Sequence, residues 1–195
     1  MALIDMAIIL ASASPRRREL LENVGVHDMV IIPAHGEEHA PEGAGAAEAA
    51  MAISRGKALE VAEQCSAGDV IIAADTVVCL DGDILGKPRD EAEAADMLRR
   101  LSGREHEVYT GVTVMRGGDI RCSVERTLVR FRPLTPGEIA AYVATGEPMD
   151  KAGAYGAQGV ASLFVEGITG DFFNVMGLPM CVLGRMLSEL GVSLL

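Results

Sequence analysis

The sequence predicts an α/β fold, and three stretches carry that reading. The run Val70-Ile71-Ile72-Ala73-Ala74-Asp75-Thr76-Val77-Val78-Cys79-Leu80 is rich in β-branched residues and nearly uncharged, the pattern of a strand covered on both faces. From Asp90 to Gly103 the pattern is helical: Asp90 and Glu93 make a capping box, Ala94, Met97, Leu98 and Leu101 recur at i, i+3, i+4, i+7, and Gly103 closes the element. A strand over Ala7 to Ala11 runs through a serine loop straight into a helix start, the succession from which helices come to cover a sheet. At 195 residues the chain fits a single domain over 1–195 and can bury a core without needing a second one.

Composition narrows the partners. Hydrophobic residues make up 49% and charged residues 23%, ordinary for a globular protein, and the 4% aromatic content argues against base-stacking surfaces. A net charge of -11 repels a nucleic-acid backbone and an anionic membrane, so neither a nucleic acid polymer nor a membrane is expected as partner. A polyanionic ligand can be held only where the few arginines and lysines gather. Cys65, Cys79, Cys122 and Cys181 form no C-x-x-C pair and read as buried thiols in a reducing compartment. Met6 to Leu10 followed by Ala11-Ser12-Ala13 has the outline of a short signal segment, but it lacks a basic start and follows Asp5, so it reads as the first core strand. With no stretch of membrane-spanning length, the expected location is the cytoplasm.

Taken in order, the first strand leads to Ser12-Ala13-Ser14-Pro15-Arg16-Arg17-Arg18. Ser14 is placed to N-cap a short helix, Pro15 opens it and Gly25 lies beyond its end. Three arginines in a first turn oppose the macrodipole at roughly 0.3–1 kcal/mol each, which makes sense if an anion sits there on backbone N–H groups, serine hydroxyls and guanidinium forks. The other reading is a solvated basic face. A short strand over Val30 to Ile32 precedes Pro33-Ala34-His35-Gly36-Glu37-Glu38-His39-Ala40-Pro41. Its H-x-x-E-H spacing matches an inverted zinc-peptidase motif, but Gly36 and the bracketing prolines deny it the helix that chemistry needs. A loop offering one or two carboxylates is expected instead.

Ala46 to Gln64 is an alanine-rich helix with Ala50, Ile53, Lys57 and Val61 on one stripe, so that Lys57 either points at a ligand or lies along the surface. In the long apolar strand Asp75 is the anomaly. It either opens a turn at a strand end or is a catalytic or metal-binding acid, because a lone buried carboxylate requires a cation, a metal or hydrogen-bond donors. Asp81-Gly82-Asp83 turns the chain back through Ile84-Leu85, and Gly86-Lys87-Pro88-Arg89 sets two cations in a stiff loop. His106 to Val114 and Ile120 to Phe131 make a hairpin around Gly117-Gly118, with irregular phase near Arg126. His106 and His27 have no partner spacing and read as structural or surface residues.

Thr135-Pro136-Gly137-Glu138 boxes a further helix that ends at Gly146. In the glycine-rich Asp150 to Gly159, small residues allow close backbone approach while Lys151, Tyr155 and Gln158 are candidates for specific polar contacts; a flexible loop is the other reading. A strand over Val160 to Ile168, a turn at Thr169-Gly170-Asp171 and a closing helix to Leu190 complete the chain.

From Leu10 to Pro179 the order and spacing of Ala11-Ser12-Ala13-Ser14-Pro15-Arg16-Arg17, Glu37-Glu38, Lys57-Ala58, Ala74-Asp75-Thr76, Gly86-Lys87-Pro88, Leu101-Ser102-Gly103, Asp150-Lys151-Ala152-Gly153-Ala154-Tyr155-Gly156 and Asn174-Val175-Met176-Gly177-Leu178-Pro179 resemble the Maf family of nucleoside triphosphate pyrophosphatases. The resemblance implies the elongated Maf/Ham1 (ITPase-like) fold, a mixed twisted sheet with flanking helices and two lobes around a deep cleft, commonly in a homodimer. It implies hydrolysis of a nucleotide to monophosphate and pyrophosphate with a divalent cation, Mg²⁺ or Mn²⁺. Asp75 matches the family's proton acceptor, and Glu38 with Asp75 matches the metal site. Ser12, Arg17, Lys57 and Lys87 match phosphate-binding positions. Arg16, Thr76 and Gln158 match the specificity positions of the subgroup acting on dTTP and UTP.

His35-Gly36 departs from the more usual acidic and aliphatic pair, which leaves both Glu37 and Glu38 as candidates for the metal, with alignment favouring Glu38. Two rivals stand beside this reading: a nucleotide-binding regulator of septum formation with little catalysis, and a Maf enzyme specific for 7-methyl-GTP.

Overall fold

The structure is a computed structural model describing residues 6–195; residues 1–5, including Asp5 and the start of the expected 1–195 domain, lie outside it. The strands are β1 (Ile8–Leu10), β2 (Val30–Ile31), β3 (Val70–Leu80), β4 (Asp83–Leu85), β5 (Glu105–Arg116), β6 (Asp119–Phe131) and β7 (Val165–Thr169). The helices are α1 (Pro15–Glu22), α2 (Ala46–Ala62), α3 (Glu91–Leu101), α4 (Pro136–Val143), α5 (Phe172–Met176) and α6 (Met180–Glu189). The strands form one mixed sheet in the order β2-β1-β3-β5-β6-β7, with β4 added to β3. β1 is parallel to β2 and β3, and the β3-β5-β6-β7 run is antiparallel.

β3 has the ends its hydrophobic run predicts and is buried at every position except Thr76, which is partly exposed. Its two edges differ. On one side β5 pairs without a break from Val70 to Cys79. On the other, β1 pairs only with Val70–Ile72 and β4 only with Val78–Leu80, so among the described residues no strand lies beside residues 73–77 on that edge. The sheet therefore has a gap at its centre, and Asp75 and Thr76 stand in it.

Side chains alternate across the strand. Val70, Ile72 and Ala74 pack with Leu10, Leu21, Val112, Leu178 and Leu183, while Val78 and Leu80 on the same face pack with Leu98, Leu101, Phe131 and Tyr142. The apolar packing of this face thus divides at Thr76. On the opposite face Ile71 and Ala73 meet Ala58 and Val61 of α2, and Val77 and Cys79 meet Ala46 and Ala50. The inward stripe of α2 is Ala46, Ala50, Ser54, Ala58 and Val61, with Ile53 and Lys57 at its margin rather than its centre. Small residues bring the helix close. Gly111, paired with Asp75 across the ladder, faces Ala50, whose carbonyl oxygen would be 2.2 Å from a Cβ there.

α3 buries Ala94, Met97, Leu98 and Leu101, and the Asp90 carboxylate accepts the Glu93 N–H at 2.8 Å. α4 carries both halves of the Thr135–Glu138 capping box. Several expectations are corrected. The β5-β6 ladder is regular past Arg126, and the irregularity lies between Arg130 and Phe131 against β7. Residues Val160–Leu163 form a 3₁₀ turn instead of the first half of a strand. Glu147 is the cause: its carboxylate accepts from the Val160 N–H at 3.0 Å and from the Tyr142 hydroxyl at 2.9 Å, and it packs so close to Gly159 that a Cβ there would displace it. Of the four free cysteines, only Cys79 is buried; Cys122 and Cys181 are exposed.

His106 is a core residue, edge-to-face with Phe131 and Tyr155, its Nε2 2.7 Å from the Tyr155 hydroxyl. Burial pushes its pKa down to about 4. An unfolded chain takes up that proton near pH 6.5, so between pH 6.5 and 4 the unfolded state binds more protons and stability falls with pH by up to about 3 kcal/mol from this group. Denaturant titrations of wild type and His106→Phe at pH 7 and pH 4.5 should show a smaller acid loss in the variant; equal losses would remove His106 from this role.

Candidate active site

Asp75 is 8% exposed and faces α2, where Lys57 Nζ donates to its Oδ1 at 2.7 Å. Lys57 also lies 2.7 Å from Glu38 Oε1, so one ammonium joins two carboxylates from different elements. Glu38 comes from the loop between β2 and α2, which contains no helix, so His35 and His39 do not share a helical face. Burial alone would raise the Glu38 carboxyl, but the Lys57 hydrogen bond and charge, with Lys87 and Arg17 farther off, hold it below the ordinary carboxylate value. Glu37 points to solvent at 88% exposure beside His39.

On the other face of β3, Arg17 enters the gap from α1. Its Nε donates to Gly177 O at 2.8 Å, and its two terminal nitrogens donate to Ser12 Oγ and Thr76 Oγ1, each at 3.1 Å. Burial lowers the Arg17 pKa, opposed by the charge of Asp75, and the group stays a cation. Ser14 occupies the N-cap but makes no side-chain cap bond; its N–H goes to Ser12 Oγ at 3.2 Å. The arginines of α1 diverge: Arg18 pairs outward with Glu22, Arg17 turns in, and the charge of Arg16 reaches Asp150.

The proton count around Thr76 fixes a direction. Thr110 Oγ1 donates its one proton to Asn174 O at 2.9 Å, so at the 2.9 Å contact between the threonines Thr76 must be the donor. Thr76 accepts from Arg17 and gives to Thr110, and its hydroxyl is engaged in aiming the guanidinium. Asn174 is itself fixed through Val108 O and Thr127 Oγ1 at 3.0 and 2.9 Å. Thr110 and Asn174 carry no sequence signal beyond a threonine in a buried strand and an asparagine in a matching stretch.

Ser12, Arg17, Lys57, Asp75, Thr76 and Glu38 are thus brought together, and Lys87 acts on Glu38 through its charge. Other expected contacts are used elsewhere. Lys151 donates to Glu147 O and Asp150, the Tyr155 hydroxyl is taken by His106, Arg89 pairs with Glu93, and Gln158 is exposed with no hydrogen-bond partner among the described residues.

Among the described residues no group of three or more His, Cys, Asp or Glu side chains is placed to hold a metal. Two carboxylates converging on one cation nevertheless match a hard divalent ion that completes its shell with water and phosphate oxygens. No helix among the described residues is long and apolar enough to cross a membrane.

A HAM1 protein structure from Coxiella burnetii shares the fold with a TM-score of 0.51 at 15% identity, over 94% of this chain and 99% of that one. A protein from Symbiobacterium thermophilum named dTTP/UTP pyrophosphatase is 48% identical, covering 94% of each chain. One of the same name from Carboxydothermus hydrogenoformans is 53% identical over 95% of this chain and 100% of its own length. The family model described as Maf-like protein matches residues 7–190, the whole of the sheet and every residue of the gap. By that span and those identities, the chain belongs to the Maf family.

Proposed function

We propose that the protein hydrolyses dTTP and UTP to the monophosphate and pyrophosphate with a divalent cation, a house-cleaning activity on pyrimidine nucleotides. The observation that carries this is the Lys57 bridge between Asp75 and Glu38, set across the gap in the sheet from Arg17 and Ser12. Relatives 48% and 53% identical over nearly the whole chain bear that activity in their names.

Attack of water at the α-phosphorus expels pyrophosphate, and charge grows on the leaving group. Arg17 and Lys87 are the cations assigned to neutralise it, while Ser12 offers a hydroxyl to a phosphate oxygen. Asp75 receives the proton of the attacking water. Lys57 bridges the two carboxylates until the substrate and its cation arrive. That cation, held by Glu38 and Asp75, would supply Lewis-acid charge next to the phosphates. Arg16 and Gln158 remain the base-reading candidates, since the Gln158 amide can donate to and accept from a pyrimidine imide edge. Thr76 supports that choice indirectly, through the position of Arg17.

Incubation with dTTP, UTP, CTP or 7-methyl-GTP and Mg²⁺ or Mn²⁺ should release equal amounts of monophosphate and pyrophosphate, fastest from dTTP and UTP. A nucleotide-binding regulator would release neither product, and a 7-methyl-GTP enzyme would invert the order. Thr110→Val keeps the shape but removes the acceptor of the Thr76 proton. It should lower kcat/KM about three- to tenfold, the worth of one such bond, with Thr110→Ser close to wild type. Wild-type turnover in Thr110→Val would remove the relay from the site.

A further inference from the structure

The loop carrying Glu38 has no regular structure, yet it delivers one of two adjacent glutamates to Lys57 and leaves the other in solvent. Glu60 lies one turn after Lys57 on α2. Its Oε1 accepts the N–H of His35 at 2.7 Å and of Gly36 at 3.1 Å, and its Oε2 accepts the Gly36 N–H at 3.0 Å. Gly36 leaves room for this approach: a Cβ there would stand 2.8 Å from Oε2, and the carboxylate would have to shift. We propose that Glu60 is a positioning residue: its carboxylate clamps the backbone at His35-Gly36, and this clamp turns Glu38 rather than Glu37 toward Lys57.

The same helix carries the ammonium that receives Glu38 and the carboxylate that anchors the loop, three residues apart. Loop and ammonium are therefore held in one frame, and a shift of α2 moves both. Fixing the chain two residues before Glu38 sets which way the next side chains fall. Glu37 falls outward, 88% exposed, and Glu38 inward to 2.7 Å from Lys57 Nζ. The two backbone N–H groups also hold the Glu60 carboxyl below its usual value, so it stays an acceptor at neutral pH. The inference gives Glu60 a part in the pyrophosphatase reading only through Glu38; the clamp itself does not depend on that reading.

Two readouts without any nucleotide test it. Amide hydrogen exchange at His35 and Gly36 should be slow in wild type and in Glu60→Gln, which keeps one acceptor oxygen. It should be at least about tenfold faster in Glu60→Ala, the loss of roughly 1.4 kcal/mol of hydrogen bonding. Zero-length carbodiimide crosslinking, read by mass spectrometry, should join Lys57 to Glu38 and to Asp75 in wild type. In Glu60→Ala the Glu38 link should fall about tenfold relative to the Asp75 link, with a Glu37 link appearing, and Glu60→Gln should restore the wild-type ratio. Slow amides in folded Glu60→Ala would overturn the clamp, and an unchanged crosslink ratio would overturn its control of Glu38. Failure of the nucleotide assays would remove the pyrophosphatase reading and leave both of these results standing.

Discussion

A folded Asp75→Asn protein is expected to lose turnover of dTTP by about 10²- to 10⁴-fold from the missing proton acceptor alone. Asparagine keeps the shape of the side chain and can still accept from Lys57, but it cannot take the proton of an attacking water. Lys57 keeps Glu38 at 2.7 Å, so the half-buried ammonium is not stranded and the fold should survive with a cooperative melt. Steady-state hydrolysis beside a thermal melt checks both halves. Near-normal turnover in the folded variant would end the assignment of Asp75, and with it the reading of the gap as a reaction centre.

The largest stability effect should come from Gly111→Ala. Its new Cβ would meet the Ala50 carbonyl oxygen at 2.2 Å and the Met51 nitrogen at 2.6 Å, both backbone atoms that cannot rotate away. Relief requires α2 to lift from the sheet, at about 3 kcal/mol or more, which lowers the melting temperature by roughly 6–12 °C in a chain of this size. The same displacement carries Lys57 away from Asp75, so kcat/KM should fall in the molecules that remain folded. Gly118→Ala, where nothing lies within 4 Å of a Cβ, is the control and should melt as wild type does. A Gly111→Ala protein of wild-type stability would mean that α2 tolerates a wider spacing.

What the sequence reveals depends on how local the cause is. β3 and α3 are legible to the residue because their burial follows from periodicity within the element and, for α3, from a cap three residues long. The 3₁₀ turn at Val160–Leu163 is not, because the carboxylate that bends it belongs to Glu147, thirteen positions earlier. Lys151 and Tyr155 are open candidates in a glycine-rich segment, but Lys151 is taken up locally by Glu147 O and Asp150, and Tyr155 by His106, a partner that only tertiary packing supplies.

At the site the same division holds. Asp75 announces itself as a charge in an apolar strand, and Arg17 as a cation at a helix start. Glu60 gives no such sign, since one more glutamate on an exposed helix face is ordinary. Thr110 and Asn174 are polar residues in buried places, visible as a relay only when the donors are counted.

The gap beside residues 73–77 has one more consequence. It is bounded by Ile72, where pairing with β1 ends, and Val78, where pairing with Leu85 of β4 begins, so its length is a matter of register, about 20 Å for six steps along the strand. An opening made this way cannot be widened gradually by trimming side chains. It changes in increments of about 3.3 Å, each time a bordering strand gains or loses one residue, so the opening comes in whole-number sizes.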